Sequence, residues 1–173
     1  MRKQYLVTIV FLLVAFFSQA QMLADFETEA TTPTFHAEGS TAVVDNPDKT
    51  GINPSDKVGY YEKISGNWHY VTMEFPDSMS IGYNNTLTFK LRASIQGRIF
   101  SKFWIGNDIL IESWSPEWSF QPLADTWTEC KMDLTPAMGK KFTKLELAAC
   151  VDNEEAAEVY FDDVELSNPE LGS

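Results

Sequence analysis

The sequence predicts an all-β, antiparallel sandwich or barrel of about ten short strands. Short runs rich in Val, Ile, Thr, Phe, Tyr and Trp recur along the chain, separated by Gly, Pro, Asn and Asp, and the 3.6-residue rhythm of amphipathic helices is almost absent. Of the 173 residues, the 153 that follow an N-terminal leader suit one domain. With 44% of the chain hydrophobic, such a domain can build a core without a metal or a disulfide.

The leader covers 1–20. Arg2 and Lys3 form a positive head, 5–17 is apolar, and Ser18-Gln19-Ala20 is a small-x-small cleavage site. An apolar run of 13 residues falls short of the roughly 20 needed to span a bilayer. No cysteine lies near the cleavage site, so a lipid anchor has no thiol to use there. The expected location is therefore secreted or periplasmic, with no transmembrane anchor. Net charge is −12, and −14 once Arg2 and Lys3 are removed, which argues against a nucleic-acid partner.

The folded domain is expected over 21–166, with 167–173 as a tail. Its strands are expected at 23–27, 42–45, 58–63, 69–75, 86–93, 98–105, 108–114, 126–134, 144–151 and 158–166. Alternation assigns the buried side of each strand. Leu87, Phe89 and Leu91 share one face of their strand and Thr88, Lys90 and Arg92 the other. Beyond a turn at Gln96-Gly97, Ile99, Phe103 and Ile105 point inward, and Arg98, Phe100, Lys102 and Trp104 outward. Cys130, Met132 and Leu134 take core parity, whereas Trp127, Glu129 and Lys131 take the opposite one. The outward face is then expected to be basic and aromatic, although the chain as a whole is acidic.

Three segments, taken in order, resemble the galactose-binding-like jelly-roll carbohydrate-binding modules of exported bacterial polysaccharide-utilisation proteins. The first is Leu23-Ala24-Asp25-Phe26-Glu27. The second is Val43-Val44-Asp45-Asn46-Pro47 with Asn53-Pro54-Ser55-Asp56-Lys57-Val58 and Trp68. The third is Tyr160-Phe161-Asp162-Asp163-Val164-Glu165-Leu166. The resemblance implies a jelly-roll sandwich, a polysaccharide or glycan ligand, and one structural calcium ion where the first and last strands meet. It places the metal ligands at Glu27 and Asp162, with the Asp25 carbonyl and a further group near Asp56. Calcium takes six to eight oxygen ligands, which carboxylates and carbonyls can supply. The alternative is that Asp162 and Asp163 form a solvated strand end.

Sugar recognition needs flat apolar rings beside planar hydrogen-bonding groups. Trp104, with Lys90, Arg92 and Lys102, is one candidate platform. Trp114 and Trp118, in a segment with Pro116 and Pro122 that is expected to form a long loop, are a second. Large aromatics are more often buried, and Trp68 and Trp127, each at a turn-to-strand junction, are expected to pack inside. For Trp104 and Trp118 both readings stay open. The cations can pair across strands with acids such as Glu74 or Glu129, which makes the face ordinary. Left unpaired, they favour an acidic polysaccharide, because Arg reads planar oxyanions through paired hydrogen bonds.

No catalytic motif stands out. His36 and His69 lie in no recognisable constellation, and no strand carries the alternating acids of sandwich-fold glycoside hydrolases. Cys130 and Cys150 are expected to be buried free thiols, although export permits a disulfide. The function expected from the sequence is non-catalytic glycan binding, by the domain alone or docked on a polysaccharide-degrading enzyme or surface complex. The alternatives are a protein-interaction sandwich without sugar binding and, more remotely, a glycoside hydrolase.

Overall fold

The computed structural model describes residues 20–114 and 123–168. Trp118 therefore lies outside the described residues. Two antiparallel sheets form a sandwich. The strands are β1 (Gln21–Ala24), β2 (Thr34–Ala37), β3 (Thr41–Asp45), β4 (Lys57–Lys63), β5 (Val71–Ser80), β6 (Thr86–Ala93), β7 (Phe100–Ile105), β8 (Asp108–Trp114), β9 (Thr128–Asp133), β10 (Lys141–Ala148) and β11 (Ala157–Ser167). The six-stranded sheet runs β3-β4-β11-β6-β9, with β1 also paired to β11. The five-stranded sheet runs β2-β5-β10-β7-β8. Among the described residues no helix is long and apolar enough to cross a membrane.

Pleat parity determines the core. Leu87, Phe89 and Leu91 of β6, Cys130 and Met132 of β9, and Leu134 just beyond it are fully buried. They meet Val71, Met73, Phe103, Leu145 and Leu147 from the other sheet. An aromatic cluster of Phe26, Phe35 and Phe161 closes one part of the core, with ring centroids 5.1–5.9 Å apart in edge-to-face contact. Tyr61 adds its ring to Phe161, and its hydroxyl accepts the Ala149 N–H at 2.9 Å. Lys63 is wholly buried; its ammonium donates to the carbonyls of Gly66, Asn153 and Glu155 at 2.7–2.8 Å, which offsets the cost of desolvating it. Both thiols are buried and unbonded. Burial pushes Cys150 up to about 12 and Cys130 higher still.

Three expectations need correction. β2 escaped the sequence reading because four residues at a sheet edge carry little periodic signal. Ile105, expected inside, is 42% exposed because the β7–β8 hairpin projects past the core. The largest correction concerns β6 and β7, expected to flank a turn at Gln96-Gly97 and to share one outward face. They belong to opposite sheets, so the 94–99 connection crosses the sandwich. Gly97 is not there for a tight turn. A Cβ at this position would lie 2.4 Å from the Cys150 Cα, so glycine is what lets the crossing segment pass.

Candidate functional site

Because β6 and β7 part company, the expected basic and aromatic face divides in two. Trp104, Lys102 and Trp114 lie on the outer face of the five-stranded sheet, and Lys90 and Arg92 on that of the six-stranded sheet.

On the five-stranded sheet the strand register lines up three transverse rows. The first is aromatic: Ala148 of β10 is opposite Phe100 of β7, which is opposite Trp114 of β8. Tyr70 packs against this row and Trp68 caps it. Trp68 touches Phe100 and Trp114, each at 5.4 Å between centroids, and Phe100 lies 4.5 Å from Trp114. Small Ala148 and Val151 leave room for these rings, and Phe100 disappears beneath the indoles at 3% exposure. Trp68 (46%) and Trp114 (40%) stay open to solvent. This reverses the expected burial of Trp68, whose positive φ of 62° after Gly66 turns its side chain onto the sheet surface. The Arg98 guanidinium sits 4.4 Å from the Trp114 ring centroid.

The second row, His36-Thr72-Glu146-Lys102-Glu112, is polar. Lys102 approaches Glu112 at 3.6 Å and lies over the Tyr70 ring. The third row is Thr34-Glu74-Lys144-Trp104-Ile109. The register shift between Phe103 and Trp104 leaves Leu110 as an extra residue on β8 and brings Ile109 opposite the indole. Lys144 reaches Glu146 at 3.6 Å and covers the Trp104 ring at 4.3 Å, and among the described residues the buried indole N–H has no partner. Trp104 is thus half-buried under a lysine, whereas Trp114 offers a free edge. A concavity of about 570 Å³ opens beside Thr34 and Glu74, walled by Met22, Phe75 and Met79, at the margin of the rows.

On the six-stranded sheet the cations are paired. Lys90 bonds Asp163, Arg92 meets Asp125 at 3.1 Å, and Lys131 meets Glu129 at 2.6 Å. Cross-strand pairing was expected, with Glu74 or Glu129 as the acids for Lys90, Arg92 and Lys102; their observed partners are Asp163, Asp125 and Glu112. Trp127 is buried as expected, donating its indole N–H to the Asp48 carbonyl at 2.8 Å.

The residues assigned to calcium converge on the loop between β3 and β4. Glu27 Oε1 accepts the backbone N–H groups of Asp56 and Lys57 at 2.7 and 3.1 Å, and Asp25 Oδ1 accepts the Glu27 N–H. Asn46 clamps the loop by donating to the carbonyls of Asn53 and Ser55, each at 3.0 Å. The Asp56 carboxylate turns outward to Lys49 at 2.6 Å. Asp162 turns inward, because the β11 irregularity between Asp162 and Glu165 puts Asp163 at φ 47° and separates the two acids. Asp162 is fully buried beside the Ser55 and Asn53 side chains, and among the described residues its Oδ2 and both amide atoms of buried Asn53 make no well-aligned hydrogen bond. Desolvation pushes its carboxyl up to about 6, against the Ser55 side chain, the Asp163 N–H and the Asn53 side chain. Among the described residues no three acids, histidines or cysteines gather into a metal cluster. Asn53, which the sequence reading passed over, is the uncharged oxygen donor facing this corner. Its burial inside a loop is the part that sequence does not show.

No protein-family profile and no curated protein matches the chain. Its fold does match solved structures. A variant of a family 29 carbohydrate-binding module aligns with a TM-score of 0.56 at 7% identity, covering 87% of this chain and 92% of that one. The family 11 carbohydrate-binding module of a Clostridium thermocellum cellulosomal cellulase aligns at 0.56 and 12%, covering 87% and 95%. An arabinose-bound family 51 α-L-arabinofuranosidase aligns at 0.60 and 13%, but this chain spans only 26% of it. At such identities the likeness is one of architecture: the chain has the jelly-roll β-sandwich fold of carbohydrate-binding modules.

Proposed function

We propose that the outer face of the five-stranded sheet binds a polysaccharide chain without catalysis. The observation that carries this reading is the row of Tyr70, Phe100, Trp68 and Trp114, whose two indoles remain exposed on a buried aromatic base. Exposed apolar patches with polar rims mark binding surfaces. Rings braced by one another keep their orientation and give up little freedom on binding. The row crosses the strands, so a bound chain lies across them, stacking on Trp114 and Trp68 while Lys102, Glu112 and Glu146 meet its hydroxyls. Trp104 and Lys144 form a second contact farther along the strands. The family 29 module in one matching structure was complexed with cellulohexaose, a ligand of the same chemical class.

Lys102 and Lys144 each have an acid close by. This supports a neutral chain over the acidic one, and an acid held by a lysine is poorly disposed to act as a general acid. A calorimetric panel of neutral oligosaccharides and their uronic-acid counterparts tests the reading. Neutral chains are expected to bind more tightly, and failure of every polysaccharide to bind would overturn it.

The buried and incompletely satisfied oxygens of Asp162 and Asn53 fit a calcium ion, with carbonyls of the 46–57 loop and Glu27 to complete an all-oxygen set. There the ion would neutralise a desolvated carboxylate and tie the loop to β11. The Asp56 side chain, committed to Lys49, is left out of this set, and the Asp25 carbonyl stays within it. The leader fits export to the periplasm or beyond, where the domain works alone or docks on a polysaccharide-degrading enzyme.

A further inference from the structure

A cavity of about 280 Å³ lies on the opposite side of the sandwich, between Tyr60, Glu62, Ser94, Ala156, Ala157 and Glu158. Its size suits one small ring, near the lower bound of roughly 300 Å³ for ligand pockets. It exists because short side chains at 94, 156 and 157 surround longer ones on β4 and β11.

Register explains its chemistry. Tyr160 is directly opposite Tyr60, and Glu158 directly opposite Glu62. The two phenol rings lie 5.3 Å apart at 50°, forming a half-buried wall. Like charges facing each other across neighbouring strands repel. Lys90, Arg92 and Lys131 of this sheet are each held by an acid, yet among the described residues neither Glu62 nor Glu158 has an ion-pair partner. Ser40 donates to Glu62 Oε2 at 3.0 Å and the Tyr160 hydroxyl to Glu158 Oε2 at 3.1 Å, which leaves the Oε1 atoms to accept further donors. Arg92 lies 5.6 Å from the Tyr160 centroid but is committed to Asp125.

The geometry points to a second binding site here, for a sugar unit carrying a free ammonium group. A neutral sugar covering this cavity would leave two facing carboxylates in a drier environment. An ammonium placed between them cancels the repulsion and faces the negative π surface of tyrosine, while the sugar ring lies on the phenols. The site shares no residue with the tryptophan row, so the two stand or fall separately.

The test uses the mature chain with a glucosamine tetrasaccharide and its fully N-acetylated counterpart, followed by amide NMR shifts and calorimetry. The free-amine sugar is expected to shift the signals of Tyr60, Glu62, Ser94 and Glu158. Acetylation should weaken binding at least tenfold, and Glu62→Gln and Glu158→Gln each at least fivefold with unchanged thermal midpoints. Glu29→Gln, an exposed acid in the short turn after β1 and outside both faces, should leave it unaltered. The inference is overturned by equal binding of the acetylated sugar, by equal loss in Glu29→Gln, by shifts confined to the tryptophan row, or by no binding.

Discussion

The outer faces of the two sheets follow the same pleat rule and use similar residues, yet their interactions differ. On the five-stranded sheet, indoles pile on one another and on Phe100, and Lys102 and Lys144 each have an acid at 3.6 Å. On the six-stranded sheet, lysine and arginine are tied to acids, whereas a tyrosine pair stands beside two carboxylates without cations. A face reads a ligand through what its side chains have left unsatisfied. The first face offers apolar rings and balanced charge; the second offers hydrogen-bond acceptors and negative charge.

The sharpest way to break this contrast is to remove the exposed indoles. Trp68→Ala with Trp114→Ala should weaken polysaccharide binding roughly a hundredfold, about 2.8 kcal/mol, by calorimetry. Tyr60→Ala should leave the same titration unchanged. Equal losses from the two faces would erase the distinction.

Removing the proposed calcium ion should separate stability from recognition. With the ion at a hundred times its dissociation constant, chelation should cost about 2.7 kcal/mol of stability, read from denaturant unfolding. Polysaccharide affinity should persist, because the Asp162 corner is remote in register from the tryptophan row. Asp162→Asn should abolish the calcium dependence of unfolding.

Trp104→Ala should cost about tenfold in affinity, close to 1.4 kcal/mol, since Lys144 already covers part of that ring. The same loss as at Trp114 would make Trp104 an equal platform. The smallest effect is expected at Lys90→Ala, within about 1 kcal/mol in unfolding and without change in glycan binding, as for other ion pairs near the surface.

Much of the fold was legible because alternation is a local property. The inward set Leu87, Phe89 and Leu91 and the exposed sides of β6 and β9 follow from counting by two. The meeting of the first and last strands beside the β3–β4 loop was legible only through resemblance. The site was less so. Trp68 was expected inside because large indoles usually are, but one positive φ turns it onto the sheet. Asp56 and Asp162 look alike as acids in sequence, and an irregularity in β11 buries one while Lys49 keeps the other outside.

The chain's own pattern determined that it is a two-layer β protein, which residues fill its middle, and that Trp104, Lys102, Lys90 and Arg92 face outward. That follows because side-chain direction alternates strictly along a strand. Only the tertiary structure decided which outward side chains share a surface. Parity distinguishes inside from outside but carries no information about the sheet a strand joins, and the crossing at Gly97, possible only without a Cβ beside Cys150, sends β6 and β7 to opposite sides of the molecule.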